Sequence, residues 1–126
     1  MAHDILIVDD EEDIRALISG ILEDEGYTTR QAGSSQGALS EVAARRPSLV
    51  VLDIWMDESD HDGIETLKLI KREHSEVPVV MISGHGNIET ALEASRIGAY
   101  DFIEKPFNTD RLLMVVERAI DDARLR

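Results

Sequence analysis

The sequence predicts an α/β domain built on a doubly wound parallel sheet with helices on both faces, three layers in all. Three observations carry this prediction. Short apolar runs alternate with amphipathic stretches five times along the chain. Three of the runs are apolar throughout, as strands covered on both faces are. The connections are short, and strand-helix alternation with short connections resolves into right-handed βαβ units.

The first strand is residues 5–8, which run straight into Asp9, Asp10, Glu11, Glu12 and Asp13. Ile14, Leu17, Ile18, Ile21 and Leu22 then fall at i, i+3, i+4, i+7 and i+8, one apolar stripe on a helix that Gly26 ends. Residues 28–31 are polar for a strand and belong at an edge. Leu39, Val42 and Ala43 mark a shorter helix from about Ser35, closed before Pro47. Residues 49–52 and 79–82 are the apolar third and fourth strands, and Ile64, Leu67 and Ile70 mark the helix between them. Ile88, Ala91 and Leu92 mark a fourth helix that stops at Gly98. Residues 101–103 form the fifth strand, and Leu112, Val116, Ala119, Ile120 and Ala123 mark a last helix from about Asp110.

The chain has 126 residues, which fits one domain of the usual roughly 100 to 150. No linker or low-complexity segment interrupts it, so residues 1–126 are read as one unit. A chain of this length buries about two thirds of its unfolded surface and needs no staple. The absence of cysteine excludes disulfides, a zinc-thiolate site and a thiol nucleophile. The run at 5–8 is too short for a secretory signal, and nothing reaches the roughly 18 apolar residues of a membrane span. The expectation is a soluble, cytoplasmic protein without membrane contact. Thirteen Lys and Arg against 26 Asp and Glu give a net charge of −13, which argues against this domain gripping phosphate backbones itself.

In a doubly wound sheet the loops leaving the carboxyl ends of the strands share one rim, where ligands bind. That rule places Asp9 and Asp10 after the first strand, Asp53 after the third, Ser83 after the fourth and Lys105 after the fifth. For one strand alone a terminal carboxylate is as readily a cap for the next helix. Three carboxylates converging on one rim repel one another and call for cations among them. Hard oxygen donors without His or Cys select Mg²⁺ or a similar divalent ion such as Mn²⁺. Lys105 is a second cation. Pro106 could set the preceding bond in cis, although Lys-Pro is also an ordinary turn. With the Ser83 hydroxyl, the rim holds what stabilises a phosphoryl group on a carboxylate nucleophile.

The segments Ile-Leu-Ile-Val-Asp9-Asp10-Glu11, Val-Val-Leu-Asp53, Met-Ile-Ser83-Gly84 and Ile-Glu-Lys105-Pro106-Phe107 resemble, in every motif and in their order, the receiver domain of two-component response regulators. The resemblance covers the whole chain, and it is specific as a set though each motif alone is weak. It implies a (βα)5 flavodoxin-like sandwich with strand order 2-1-3-4-5. It implies that Asp53 accepts a phosphoryl group from a sensor histidine kinase, with Asp10, Asp53 and the backbone carbonyl of Trp55 binding Mg²⁺ and Asp9 contributing through water. Lys105 and Ser83 would contact phosphoryl oxygens. The domain would assist its own phosphotransfer and dephosphorylation without independent enzymatic turnover.

The same resemblance gives Ser83 and Phe102 a switching role. The hydroxyl would move toward the phosphoryl group and the aromatic ring turn inward, changing the surface made by the fourth helix, fifth strand and fifth helix. Phe102 lacks a tyrosine hydroxyl, so its inward state is a packing matter, and the plainer alternative is that it is simply core. The face including Ile97, Tyr100, Asp101, Arg111, Met114 and Arg118 offers a two-fold dimer contact. Pairing through the first and fifth helices is the alternative.

The connection from Asp53 to Asp62-Gly63 is longer than in most receivers, lacks their proline and adds Asp57, Glu58 and Asp60. These acids could tune metal affinity or kinase choice, while a solvated flexible loop is the plainer alternative. Trp55 and His85, each two positions beyond a site residue, could govern water access and hence phosphoryl lifetime. The long connection, with Ser83-Gly-His-Gly-Asn-Ile-Glu-Thr-Ala and Gly98-Ala-Tyr-Asp-Phe-Ile-Glu-Lys-Pro-Phe, resembles the nitrogen-regulation NtrC/NtrX group, the NtrX branch more closely. For that branch the partner would be an NtrY-like kinase. Such regulators continue into an AAA+ ATPase module and a DNA-binding helix-turn-helix. This chain has no Walker-type glycine-lysine loop and reads as an excised receiver, with DNA binding and transcriptional output belonging to the missing portion.

Two competing readings exist. A flavodoxin-like enzyme or nucleotide-binding domain would need small and hydroxyl residues after the first strand, where this chain has acids that repel FMN phosphate. A degenerate receiver acting only as an interaction or dimerisation module would lack the acceptor, the acidic pair or the lysine, and all are present. Gly84-His-Gly86 begins like a dinucleotide fingerprint but continues to Glu89, not glycine. His3, His61, His74 and His85 show no metal-ligand spacing.

Overall fold

The computed structural model describes residues 3–54, 63–84 and 88–124. Five parallel strands, β1 (Asp4–Val8), β2 (Thr28–Ala32), β3 (Leu49–Asp53), β4 (Val79–Ser83) and β5 (Asp101–Glu104), lie in the order β2-β1-β3-β4-β5. They alternate with α1 (Glu12–Asp24), α2 (Ser35–Ala44), α3 (Gly63–Glu73), α4 (Ile88–Ile97) and α5 (Thr109–Arg124). This is the flavodoxin-like sandwich that the resemblance implies, with β2 at an edge as its polarity predicts. The chain steps out from β1 to β2 and returns across β1 to β3, so the winding reverses between β1 and β3. In doubly wound sheets ligands bind outside the carboxyl ends of the strands at such a point.

Strand alternation sorts the core into two layers. Ile5, Ile7, Val51, Val80, Ile82 and Ile103 pack against Ile18 and Leu22 of α1 and Leu112, Val116 and Ile120 of α5. Leu6, Val8, Val50, Leu52, Val79 and Met81 pack against Val42 of α2, Leu67 and Ile70 of α3 and Ala94 of α4. β1, β3 and β4 are therefore covered on both faces, which is why they read as unbroken apolar runs.

Helix boundaries follow local chemistry. Gly26 and Gly98 adopt φ of 94° and 126° after α1 and α4, a backbone state that costs glycine little. Ser34 Oγ accepts from the Gly37 amide at 3.0 Å and starts α2. Asn108 Oδ1 accepts from the amides of Asp110 and Arg111 at 2.8 and 3.2 Å, which begins α5 one residue earlier than its apolar stripe suggests. β3 and β4 each extend one residue beyond their last apolar side chain. The ladder continues through Asp53↔Ile82 and Ser83↔Glu104 because its bonds come from backbone groups.

The edge strand β2 is tied down by Arg30. Its guanidinium grips both Asp4 oxygens at 3.1 and 2.6 Å and also donates to Glu41 and to the Arg45 carbonyl. That bidentate fork joins β1, β2 and the end of α2. Among the described residues no helix is long and apolar enough to cross a membrane.

Candidate functional site

The carboxyl ends of β1, β3, β4 and β5 bring the predicted residues to one rim. Asp53 ends β3 and is buried, Ser83 ends β4 and is buried, and Asp9 follows β1 with no exposed surface at all. Asp10, next to it, is half-buried. Asp9, Asp10 and Asp53 each offer an oxygen such that all three lie within 4.8 Å of one another. The burial of Asp9 and Asp53 is what makes the cluster chemically informative, since buried carboxylates must be paired or must hold a cation.

Lys105 supplies one cation. It follows β5 with a cis bond to Pro106, and its Nζ donates to Asp9 Oδ2 at 2.9 Å and lies 3.7 Å from Asp53 Oδ1. Asp9 Oδ1 accepts from the Glu11 amide at 2.9 Å, just ahead of α1. Asp9 is thus held through both oxygens, but it does not cap α1: its bond is to the amide of Glu11, the residue that precedes the helix. Burial works to lower the Lys105 pKa, but the Asp9 hydrogen bond and the charges of Asp53, Asp9 and Glu11 outweigh it, and the ammonium is held above the ordinary lysine value.

That arrangement makes Lys105 structural as well as electrostatic. Lys105→Met would leave Asp9 buried without its ammonium partner, and in EDTA at neutral pH it is expected to cost about 3 kcal/mol in urea unfolding. Because the folded pKa of Lys105 is raised, its contribution is complete below the unfolded lysine value and disappears as pH rises through the folded one. The urea curves of wild type and variant are expected to converge only in that alkaline window. Convergence near neutrality would show that the pair contributes nothing.

The donor set fits a hard divalent ion. Three carboxylates without His or Cys among them suit Mg²⁺. One ammonium leaves the crowded negative charge only partly compensated.

Ser83 and Phe102 belong to the other layer. Phe102 pairs with Met81, two residues before Ser83, and its half-buried ring packs on the core cluster that contains Met81 and Ala94. Both side chains therefore stand, by strand alternation, on the sheet face toward α3 and α4, while Asp53 follows the parity of Val51 toward α1 and α5.

One close approach was not legible in the sequence. The Gly63 amide donates to the Ile54 carbonyl at 2.8 Å, and a Cβ on Gly63 would stand 2.2 Å from the Asp53 carbonyl oxygen and 2.5 Å from Ile54 Cα. The start of α3 thus rests on the backbone of the central carboxylate. The only sequence signal is an acid-glycine pair ahead of an apolar stripe. Nearby, Thr66 Oγ1 donates to Ser35 Oγ at 2.7 Å, a buried link between α3 and α2.

The expected dimer face is less free than its composition suggests. Ile97 packs onto the core, Tyr100 is half-buried with its hydroxyl on Asp122, and Arg111 lies 3.6 Å from Asp101. Met114 is exposed, as are Leu92 on α4 and Leu17 on α1. Trp55, the acidic connection of residues 56–62 and His85 lie outside the described residues.

Comparison with known proteins agrees with this geometry. Residues 5–117 match the response regulator receiver domain. The chain is 68% identical over its whole length to the nitrogen assimilation regulatory protein NtrX of Azorhizobium caulinodans, of which it spans 28%. The crystal structure of the receiver domain of NtrX from Brucella abortus superposes with a TM-score of 0.91 at 60% identity, covering 94% of this chain and 98% of that one. A CheY-like receiver domain protein from Methanospirillum hungatei superposes at 0.93 with 27% identity, covering 98% of both chains.

Proposed function

The chain belongs to the response regulator receiver domain family, and from that premise we propose that it is the phosphoacceptor of a two-component pathway, taking a phosphoryl group from a sensor histidine kinase onto Asp53. The P–N bond of the kinase's phosphohistidine breaks as a P–O bond to an Asp53 carboxylate oxygen forms, and the electron pair stays on the imidazole. The observation that carries this reading is the buried Asp53 with two further carboxylates within 4.8 Å and an ammonium 3.7 Å away.

Asp10 and Asp53 would hold the Mg²⁺, together with the backbone carbonyl of Trp55, which lies outside the described residues, and Asp9 would contribute through water. Asp9 is also held by Lys105 through one oxygen and by the Glu11 amide through the other. When bound, Mg²⁺ neutralises charge on the transferring group. Lys105, held over the acceptor by Asp9, donates to one phosphoryl oxygen and the Ser83 hydroxyl to another. An apolar hollow lined by Ile14, Leu17, Pro106 and Phe107 borders Lys105.

Phosphorylation draws Ser83 toward the new group and lets Phe102 turn further inward, biasing the α4–β5–α5 face between two states. The common sheet face of Ser83 and Phe102 supports that coupling. Two copies pair through this face, where Leu92 and Met114 are exposed, and pairing through α1 and α5 is the second arrangement. The likeness to NtrX extends the reading to nitrogen regulation in the cytoplasm, with an NtrY-like kinase. AAA+ and helix-turn-helix modules outside residues 1–126 carry transcriptional output and any DNA contact.

Intact-mass measurement after incubation with Mg²⁺ and acetyl phosphate tests this. Wild type is expected to gain one phosphoryl group, and to gain none when EDTA is added first. No gain by a folded wild-type chain would reduce the domain to an interaction module.

A further inference from the structure

Arg15 lies in the first turns of α1, amid Glu11, Glu12 and Asp13, yet among the described residues no carboxylate pairs with it. Its guanidinium turns back over the β1–α1 loop instead. Nη1 donates to the backbone carbonyl of Asp9 at 2.7 Å, and Nε donates to Gln31 Oε1 at 3.2 Å. Gln31, on β2, donates in turn to the buried Ser19 Oγ at 3.2 Å, one turn further along α1. Gly33 leaves the guanidinium its seat, because a Cβ there would stand 3.1 Å from Nη1. The result is a closed ring of contacts through α1, the acidic loop and the end of β2.

The carbonyl that Arg15 holds belongs to the peptide joining Asp9 to Asp10. Orientation of that peptide sets the direction in which the Asp10 carboxylate leaves the chain. Mutual repulsion of three carboxylates within 4.8 Å would swing the loop outward unless something held it. We propose that Arg15, braced by Gln31, is a positioning residue that holds the Asp9–Asp10 peptide so that Asp10 meets Asp53 at cation-binding distance before an ion arrives. This rests on the reading of the cluster as a divalent cation site. Arg15 touches neither the ion nor the phosphoryl group, and acts through the loop backbone alone.

Calorimetric titration of Mg²⁺ into the metal-free chain tests the proposal, using wild type, Arg15→Ala, Gln31→Ala, the double variant and Arg15→Lys, each also melted in EDTA. Arg15→Ala is expected to bind Mg²⁺ about tenfold more weakly, the size typical of losing an outer support of a metal site. Gln31→Ala loses less, and the double variant loses no more than Arg15→Ala, because the two residues form one chain of contacts. Arg15→Lys recovers part of the affinity, since one ammonium reaches the carbonyl but cannot also span to Gln31. A residue important only for folding would lower melting in EDTA without this pattern in affinity. Wild-type affinity in a folded Arg15→Ala overturns the proposal, and if that variant does not fold, wild-type affinity in both Gln31→Ala and Arg15→Lys does so. A wild type that binds no Mg²⁺ overturns the cation-site reading and this inference together, whereas equal binding by all variants overturns this inference alone.

Discussion

Asp53→Ala is expected to gain no phosphoryl group from acetyl phosphate at any Mg²⁺ concentration, and to melt higher than wild type in EDTA. The first outcome follows from removing the acceptor oxygens. The second follows from charge crowding. Two carboxylates near 4.8 Å repel by about 3 kcal/mol at an effective dielectric of about 20. Lys105 offsets part of this for Asp53 and keeps its shorter bond to Asp9 in the variant. Net relief of on the order of 1 kcal/mol is the expected remainder, read as a melting shift of a few degrees. A carboxylate present for structural reasons would give the opposite sign, because its removal would take away the 3.7 Å ion pair with Lys105. Loss of uptake together with lower melting would therefore contradict the charge-cluster account even though the acceptor assignment survived.

Gly63→Ala is expected to be the most damaging added methyl group among the described glycines. The added Cβ falls 2.2 Å from the Asp53 carbonyl oxygen and 2.9 Å from its carbonyl carbon, and neither is the movable end of a side chain. Either α3 lifts from β3 or the end of β3 shifts, at a cost of about 3 kcal/mol by urea unfolding. Since that end of β3 carries the proposed acceptor, phosphoryl uptake is expected to fall roughly 100-fold, the scale of an ångström-sized misplacement in a reacting group. Gly20→Ala is the matched control. Its Cβ meets nothing within 4 Å in the middle of α1, so it is expected to stabilise by about 0.5 to 1 kcal/mol and leave uptake unchanged. Equal behaviour of the two variants would remove the steric argument.

Much of the fold was legible because buried parallel strands and amphipathic helices write different periods into the chain. β1, β3 and β4 are apolar on both faces, and β2 is polar because it lies at an edge. The site was legible because winding order alone sends Asp9, Asp53, Ser83 and Lys105 to one rim. What escaped depends on backbone approach or on tertiary packing. Gly63 matters through a contact with the Asp53 carbonyl, which no side-chain pattern encodes. Arg15 was hidden in an acidic run whose partner is a peptide carbonyl. Ile97 and Tyr100 were expected on an open face, but both are partly buried, Ile97 against the cluster that holds Ala94 and Tyr100 against the one that holds Ala119.

Phosphorylation at Asp53 and nowhere else can be read directly. Borohydride reduction of the phosphorylated chain converts an aspartyl phosphate to homoserine, and peptide mass spectrometry then reads its position. Homoserine is expected at position 53 and at no other acidic residue. Homoserine at Asp9 or Asp10, or a stable phosphoryl group that borohydride leaves in place on a hydroxyl, would contradict the Asp53 assignment.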